Sequence, residues 1–220
     1  MWTWNQENQD CMAFISDTLL SLNLFIGDKS YEVKLKDLIS DKQVIFRDGE
    51  NLIKLPDEIY HSIMKEARIA LETGLKLREP PPNGWVCIDK CSVCSEWKNE
   101  MHEDHSTTSM VTDDRFPETT DQLILIKGSR SGNPPEIRRC PSCGTYYKII
   151  NIYEWTTIGD DDDDYMTRLT PNEAILLLPE EEKNELLSRW EPLMDCLNSC
   201  RNSLNKEIAD YARRSIKKNN

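Results

Sequence analysis

The sequence is short of residues and segments on which several large classes of protein depend. It has three histidines and eight glycines among 220 residues, and it contains no glycine-rich phosphate loop, dinucleotide-binding fingerprint or nucleophile elbow. The longest apolar run is AILLL at 174–178, far below the roughly 20 residues that span a bilayer. These absences argue against the common nucleotide-binding and hydrolytic enzymes and against a membrane-spanning protein.

Location and charge are the next inferences. The first ten residues, MWTWNQENQD, carry no Lys or Arg, so we expect no signal peptide and a cytoplasmic, reducing location. The formal net charge is −12, and the acidic excess is largest between residues 87 and 170. Such a charge disfavours non-specific contact with phosphate backbones and favours a protein partner with a basic surface.

The N-terminal part shows mixed helix and strand patterns. Residues 12–26 are rich in Leu, Ile and Phe at mixed spacing, and we assign a helix there. Residues 31–35 alternate between apolar and charged, as in a half-buried strand, and 46–52 (FRDGENL) is typical of a hairpin. After Pro56, apolar residues recur at three- and four-residue steps to about Leu77, which predicts an amphipathic helix.

Strands are predicted for the middle of the chain. The sequence PPPNG at 80–84 is a helix-stopping linker. Short strands are assigned to 123–127, 136–140 and 145–155, and the polar segment 99–120 is assigned to a loop.

The C-terminal part is predicted to be helical. TPNE at 170–173 is typical of a capped helix start, Pro179 precedes a second start with acids at its N-terminus, and Pro192 should bend or restart the helix. Beyond it, one continuous apolar stripe is expected, formed by Leu193, Leu197, Cys200, Leu204, Ile208 and Tyr211.

Two Cys-x2-Cys pairs are the strongest functional signal: Cys91 with Cys94, and Cys140 with Cys143. Two intervening residues let the chain turn so that both thiolates bind one ion, at about 2.3 Å for zinc. In a reducing compartment, such pairs are interpreted as metal ligands before disulfides. The four cysteines are therefore predicted to hold one metal ion, with zinc favoured over iron.

The stretch CPSCG at 140–144 resembles a knuckle of the zinc-ribbon and rubredoxin-like families. The resemblance covers roughly residues 86–155 and implies a closed, tetrahedral site in which four cysteines hold a structural Zn²⁺. The first pair lacks the proline and glycine of that knuckle, and the long gap between the pairs implies an insertion. We therefore expect an α+β fold in which a small zinc-ribbon-like antiparallel β module is flanked by helical segments.

This interpretation divides the chain into three parts. Residues 1–84 form an N-terminal helical or α+β segment, and 85–158 form the β module with a polar insertion at 99–120. Residues 159–220 form an acidic loop and C-terminal helices that pack on the N-terminal segment. The five aspartates at 160–164 are assigned to a solvated loop, because they lack the ligand spacing of a calcium loop.

Three further cysteines have weaker signals. Cys87 lies close to Cys91 and could replace it as a ligand, although a buried strand cysteine is the favoured interpretation. Cys196 and Cys200 lie one helical turn apart on the apolar stripe, which favours a place in the core over a second metal site.

Two alternatives stay open beside a structural zinc protein. His102 and His105 could serve a metal-dependent hydrolase or complete a Cys₂His₂ site with Cys91 and Cys94, although their spacing fits neither motif and a solvated loop is favoured. A nucleic-acid-binding zinc ribbon would use Lys127, Arg130, Arg138, Arg139 and Tyr146 or Tyr147. The acidic surroundings favour a simpler role, in which Arg138, Arg139 and Lys148 offset the negative charge of the site.

Taken together, these patterns favour a non-enzymatic zinc-binding protein with an acidic surface. An all-cysteine site has no open position for water or substrate. A protein-interaction or regulatory factor, for example of a bacterial immunity or defence type, is the function we expect.

Overall fold

The chain folds as two units, Met1–Glu79 and Pro80–Asn220. The computed structural model describes residues 1–6, 9–40, 45–48, 51–105, 115–128, 134–156 and 159–217. Helices and antiparallel sheets occur in both units, so the predicted α+β class is confirmed. None of the described helices combines the length and the apolarity needed to cross a membrane.

The first unit contains a four-stranded antiparallel sheet in the order β1-β2-β3-β4, a separate hairpin β5-β6, and two helices. Its elements are β1 Trp2–Gln6, β2 Gln9–Ile15, β3 Ser21–Ile26, β4 Lys29–Lys34, α1 Leu35–Ser40, β5 Ile45–Asp48, β6 Asn51–Lys54 and α2 Asp57–Arg78. Buried residues of β2, β3, α1 and α2 form one apolar core.

The helix predicted at 12–26 is wrong. These residues lie in β2 and β3, where Cys11 and Ala13 are buried while Met12 and Phe14 are only partly buried. Burial at every second residue is the period of a strand, because successive side chains point to opposite faces. The apparent helical spacing arose because both strands of the hairpin are rich in apolar residues.

Three other predictions for this unit are confirmed. The strand at 31–35 corresponds to β4, the hairpin at 46–52 corresponds to β5 and β6, and the amphipathic helix after Pro56 is α2. The turn residues 49–50 of that hairpin lie outside the described residues.

The second unit is built on a five-stranded antiparallel sheet in the order β7-β11-β10-β9-β8. Its elements are β7 Glu100–Asp104, β8 Ile124–Lys127, β9 Glu136–Arg139, β10 Tyr146–Thr156, β11 Gly159–Leu169, α3 Pro171–Leu177, α4 Glu180–Ser188, α5 Trp190–Cys200 and α6 Lys206–Lys217. The three strands predicted for the middle of the chain are confirmed as β8, β9 and β10.

The two faces of this sheet pack against different partners. Tyr146 on β10 and Leu169 on β11 belong to a core shared with α3 and α4. The next residue along β10, Tyr147, belongs to a second core that contains the paired cysteines and parts of α5 and α6. Because successive side chains of a strand point to opposite faces of the sheet, the two cores lie on opposite sides of it. The core that contains Tyr147 is the one in which the cysteine loops pack beside α5 and α6.

The N-terminus of α3 is capped as the sequence predicts. The Thr170 hydroxyl oxygen accepts a hydrogen bond from the Glu173 backbone N–H, and the Glu173 carboxylate accepts one from the Thr170 backbone N–H at 2.9 Å. This reciprocal pair satisfies two N–H groups that a helix start leaves without partners.

Two predicted loops are wrong. The segment 99–120 includes the strand β7, and its residues 106–114 lie outside the described residues. The aspartates at 160–164 lie in β11, where all five pair with β10, and Asp163 and Asp164 also pair with β7. Aspartate has a low intrinsic preference for strands, but pairing with neighbouring strands overrides it, because strand preference depends strongly on neighbours.

The predicted continuous stripe at the C-terminus is interrupted. α5 ends at Cys200 and α6 begins at Lys206, and Leu204 between them is fully exposed. Two helices that meet through their apolar faces therefore replace the single helical stripe.

The division into units also differs from the predicted segments. The first unit ends at Glu79, beside the predicted linker, but 85–158 and 159–220 belong to one unit. The hairpin of β10 and β11 crosses the predicted boundary, and α5 and α6 share a core with the cysteine loops.

Candidate metal centre

Four buried cysteines converge in the second unit. Cys91 and Cys94 lie in the turn after a short 3-10 helix, Ile88–Lys90, whereas Cys140 and Cys143 lie between β9 and β10. Their Sγ atoms all lie within 4.8 Å of one another, and none of the four residues is more than 4% exposed. The structure thus brings together the two pairs that the sequence analysis singled out.

The spacing of the sulfurs suits one tetrahedral ion. The Sγ atoms are 3.5 Å apart between Cys91 and Cys94, 3.4 Å between Cys94 and Cys143, and 3.6 Å between Cys91 and Cys140. Four sulfurs that each lie about 2.3 Å from a shared zinc ion are about 3.8 Å from one another. The observed distances fall within a few tenths of an ångström of that arrangement, so a divalent ion fits with small side-chain movements.

The second pair sits at the tip of the hairpin formed by β9 and β10. The Gly144 N–H donates to the Cys140 carbonyl oxygen at 3.0 Å, and the Cys140 N–H donates to the Thr145 carbonyl oxygen at 2.9 Å. Gly144 has a φ of +69°, which glycine adopts without the steric cost that a Cβ brings. The local turn is therefore closed by the backbone and aims both cysteines inward.

The four thiols share their protons unequally. Hydrogen bonding with Cys140 lowers the pKa of Cys91, and hydrogen bonding with Cys143 lowers the pKa of Cys140. Hydrogen bonding with Cys140 raises the pKa of both Cys94 and Cys143. Thiols this close titrate as a set, and a divalent cation would take the place of their remaining protons and stabilise all four thiolates.

A buried arginine holds the first cysteine turn. Arg168, on β11, is inaccessible to solvent, and its Nη2 donates to the carbonyl oxygens of Cys94 and Trp97, both at 2.9 Å. Its Nη1 donates to Asn99 Oδ1 at 3.0 Å. The guanidinium thus fixes the backbone of the turn, and its charge offsets part of the net −2 of four thiolates around a divalent ion.

A second arginine holds the other turn. Arg189, at the junction of α4 and α5, donates from Nη2 to the Gly144 carbonyl oxygen at 2.7 Å. Its guanidinium lies 4.5 Å from the centre of the Trp85 ring and forms an ion pair with Glu185 at 3.1 Å. Each cysteine turn is therefore supported by one guanidinium from a distant part of the chain.

Sequence reasoning missed Arg168 and Arg189. It assigned the charge offset to Arg138, Arg139 and Lys148, which flank the second cysteine pair in sequence. In the structure, Arg138 pairs with Glu136 at 2.8 Å, and buried Arg139 pairs with Glu182 at 3.0 Å. Arg168 carries no local motif that marks it, since its partners lie some 70 residues earlier in the chain.

Three of the residues proposed for nucleic-acid binding are buried. Tyr146, Tyr147 and Arg139 are inaccessible to a ligand, so they cannot stack on bases or contact phosphates. Arg130 lies outside the described residues, and Lys127 is exposed. The structure contradicts this use of the two tyrosines and Arg139.

The two histidines lie apart from the cysteines. His102 Nε2 is 2.9 Å from Asp163 Oδ1 on β11, and His105, just after β7, has its Nε2 3.2 Å from Asp164 Oδ2. Both histidines are exposed, as predicted, but the predicted loop is wrong for His102, which lies in β7. The Cys₂His₂ alternative is also wrong, because the second cysteine pair, rather than the histidines, completes the cluster.

The three remaining cysteines of this unit form a separate group. Cys87 lies directly before the 3-10 helix, not in a strand, and is joined to Cys196 by a disulfide bond. Cys200 is buried, as the core assignment predicted, and its Sγ is 3.5 Å from Cys87 Sγ. Cys87 is therefore not a member of the four-cysteine cluster.

Comparison with known proteins adds no further assignment. No protein family, curated protein or solved structure matches this chain. The buried cluster of Cys91, Cys94, Cys140 and Cys143 is therefore the observation on which a functional interpretation rests.

Proposed function

We propose that this chain is a non-enzymatic, cytoplasmic zinc-binding protein that acts through protein–protein interaction. Cys91, Cys94, Cys140 and Cys143 hold one structural Zn²⁺. The observation that carries the proposal is the convergence of four buried sulfurs from two turns that are distant in sequence.

A structural role follows from the ligand set and its burial. Four thiolates fill a tetrahedral coordination shell, so no position is left for the water or substrate that a catalytic zinc ion binds. The ion would join the loop after the 3-10 helix to the tip of the β9–β10 hairpin. Because ligands this far apart in sequence are brought together only by folding, the free energy of binding adds to the stability of the unit.

Mass spectrometry of the native protein tests the metal centre. Protein purified without added metal should carry one ion per chain, identified as zinc rather than iron by elemental analysis. The variant Cys143→Ser should lose the ion, while Cys11→Ser, which removes a buried cysteine of the first unit, should keep it. A wild-type protein that carries no ion, with all four thiols open to alkylation, would contradict the proposal.

One surface of the second unit fits a basic partner. We call it the acidic sheet face, and it consists of His102, Asp104, Ile152, Asp163 and Tyr165. Asp104 and Asp163 are directly opposite each other on β7 and β11, an arrangement that is unfavourable for like charges. Asp163 already contacts the His102 ring at 2.9 Å, and a cationic side chain from a partner would add a further favourable contact with the two carboxylates.

The same face offers apolar contact area. Ile152 is 44% exposed and Tyr165 is 39% exposed, and the register places Ile152 opposite Asp163. The His102 ring stacks on Tyr165 with ring centres 4.6 Å apart. Exposed aromatic and aliphatic residues surrounded by charge are typical of a protein interface, so the favoured partner is a protein with Lys or Arg beside an apolar patch.

Affinity capture with matched variants tests this surface. Wild-type protein should retain a specific basic protein, and the complex should weaken as salt is raised. A double variant, Asp104→Asn with Ile152→Ser, should lose it, whereas Glu72→Gln, an exposed acid on α2, should not. Equal retention by the double variant and the wild type would exclude the acidic sheet face as the interface.

A further inference from the structure

Three cysteines outside the metal centre meet at one place in the second unit. Cys196 and Cys200 lie four residues apart on α5, so both side chains point from the same face of the helix. Cys87 approaches that face from the loop before the 3-10 helix, and the three Sγ atoms lie within 4.8 Å of one another. Once reduced, three cysteines from two segments at this separation are a ligand set for a divalent ion that accepts thiolates.

We propose that Cys87, Cys196 and Cys200 form a second, redox-dependent metal site. In the oxidised protein, Cys87 and Cys196 form the disulfide that the structure shows. In the reduced protein, the three thiolates bind a second zinc ion. The inference goes beyond the structural zinc of the proposed function, because it concerns different ligands and a different state of the protein.

The geometry favours one shared ion in the reduced state. Cys200 Sγ is already 3.5 Å from Cys87 Sγ, close to the about 3.8 Å that separates two sulfurs on one zinc ion. Once the Cys87–Cys196 bond is broken, rotation of one side chain provides the same separation for that pair. The fourth position is left to water.

A dithiol reductant accounts for the electrons and protons needed to convert the oxidised protein to the reduced protein. The dithiol gives two electrons and two protons to the Cys87–Cys196 bond, which becomes two thiols, while the dithiol becomes a disulfide. Binding of Zn²⁺ to the three thiols then releases three protons to solvent. The disulfide connects α5 to the loop that leads to Cys91 in the oxidised protein, and the zinc–sulfur bonds connect them in the reduced protein. This contact is therefore maintained across the redox change.

A small cavity borders the group. It has a volume of about 60 Å³, and its lining includes Trp85, Cys87, Cys143, Cys196 and Tyr211. Cys87 and Cys196 of the second group and Cys143 of the first metal centre therefore border the same space.

The test compares zinc content in the two redox states of the full chain. Protein is prepared either oxidised or reduced anaerobically with a phosphine, exposed to Zn²⁺, desalted and weighed by native mass spectrometry. We expect one ion in the oxidised wild type, two in the reduced wild type, and one in Cys200→Ser in both states. Cys200→Ser keeps the Cys87–Cys196 disulfide, so circular dichroism of its oxidised form verifies that it folds. Cys11→Ser should behave as the wild type.

The outcomes separate the two metal sites. Reduced wild type with a single ion, after alkylation has shown that the disulfide was cleaved, would overturn the second site and leave the first intact. Two ions in reduced Cys200→Ser would overturn it as well. Failure of the structural zinc centre has a different signature, namely an oxidised wild type that binds no ion.

Discussion

The two units of this protein have cores of opposite character. In the first unit the core consists of aliphatic side chains and alanines, and Ser21 is the one buried polar residue among its described residues. In the second unit the cores include four clustered cysteines and the buried guanidinium groups of Arg139, Arg168 and Arg189. One unit is held by the removal of apolar surface from water, whereas the other also depends on directional bonds to charged groups.

This difference has consequences for stability. Apolar burial tolerates the loss of one contact at a cost set by the size of the cavity. Removing one member of a buried charged pair or thiolate cluster costs much more stability, because the remaining members stay in a low-dielectric interior without their partner. We therefore expect the second unit to respond to metal and to single polar substitutions, and the first unit to respond only to changes in its own packing.

The largest expected effect comes from removing a metal ligand. Cys140→Ser, or chelation of the ion, should remove on the order of 10 kcal/mol from the stability of the second unit, because three buried thiolates would lose their cation. Hydrogen exchange read by peptide should show lost protection in β9, β10, α5 and α6. The helices are included because they share a core with the cysteines. The first unit should keep its protection, and Cys11→Ser serves as the matched thiol control. Unchanged exchange in α5 and α6 would show that they are stable without the metal centre.

A packing change in the first unit should have the converse effect. Leu24 on β3 is fully buried, and Leu24→Ala should destabilise the first unit by about 3 kcal/mol through lost burial and the cavity left behind. Zinc content and hydrogen exchange of the second unit should stay as in the wild type. Loss of zinc in this variant would show that the stabilities of the two units are coupled.

Substitution of Arg168 tests whether its hydrogen bonds to the first cysteine turn support the metal centre. Arg168→Lys keeps the charge but cannot donate to two carbonyl oxygens and to Asn99 at once, so zinc affinity should fall about 10- to 100-fold. Competition with a chromogenic chelator measures the affinity. The control is Arg213→Lys, since Arg213 is an exposed residue of α6 that pairs with Asp210 and donates to the Arg201 carbonyl oxygen. Equal zinc affinities for the two variants would show that the hydrogen bonds of Arg168 do not contribute to zinc binding.

The smallest expected losses of stability come from two glycine substitutions, whose comparison separates the cost of backbone strain from the cost of a steric clash. Gly144→Ala places a Cβ in a conformation with φ of +69° and 2.3 Å from Arg189 Nη1, and should cost about 2 kcal/mol. Gly84 has a similar φ of +75°, but an added Cβ there meets no atom within 4 Å, so Gly84→Ala should cost about 1 kcal/mol. Chemical denaturation compares the two. Equal losses would mean that Arg189 moves aside without cost.

Local patterns predicted the parts of the protein that depend on neighbouring residues. The capped start of α3, the amphipathic α2 and the turn at Cys140 and Cys143 each depend on residues within one or two turns of chain. Mistakes arose where distant partners decide the outcome. The aspartates of β11 lie in a strand because β10 pairs with all five and β7 pairs with Asp163 and Asp164. Residues 12–15 and 21–26 form strands because β1 and β4 complete their sheet.

The sequence by itself determined that two Cys-x2-Cys turns would form and that each could offer two sulfurs to an ion, since that geometry is a property of four consecutive residues. Only the tertiary structure decided which sulfurs meet, that Cys87 belongs with Cys196 and Cys200, and that Arg168 and Arg189 hold the two turns. The physical reason is that these contacts join residues far apart in sequence. Their free energy depends on burial and on partners that no local window of the sequence contains.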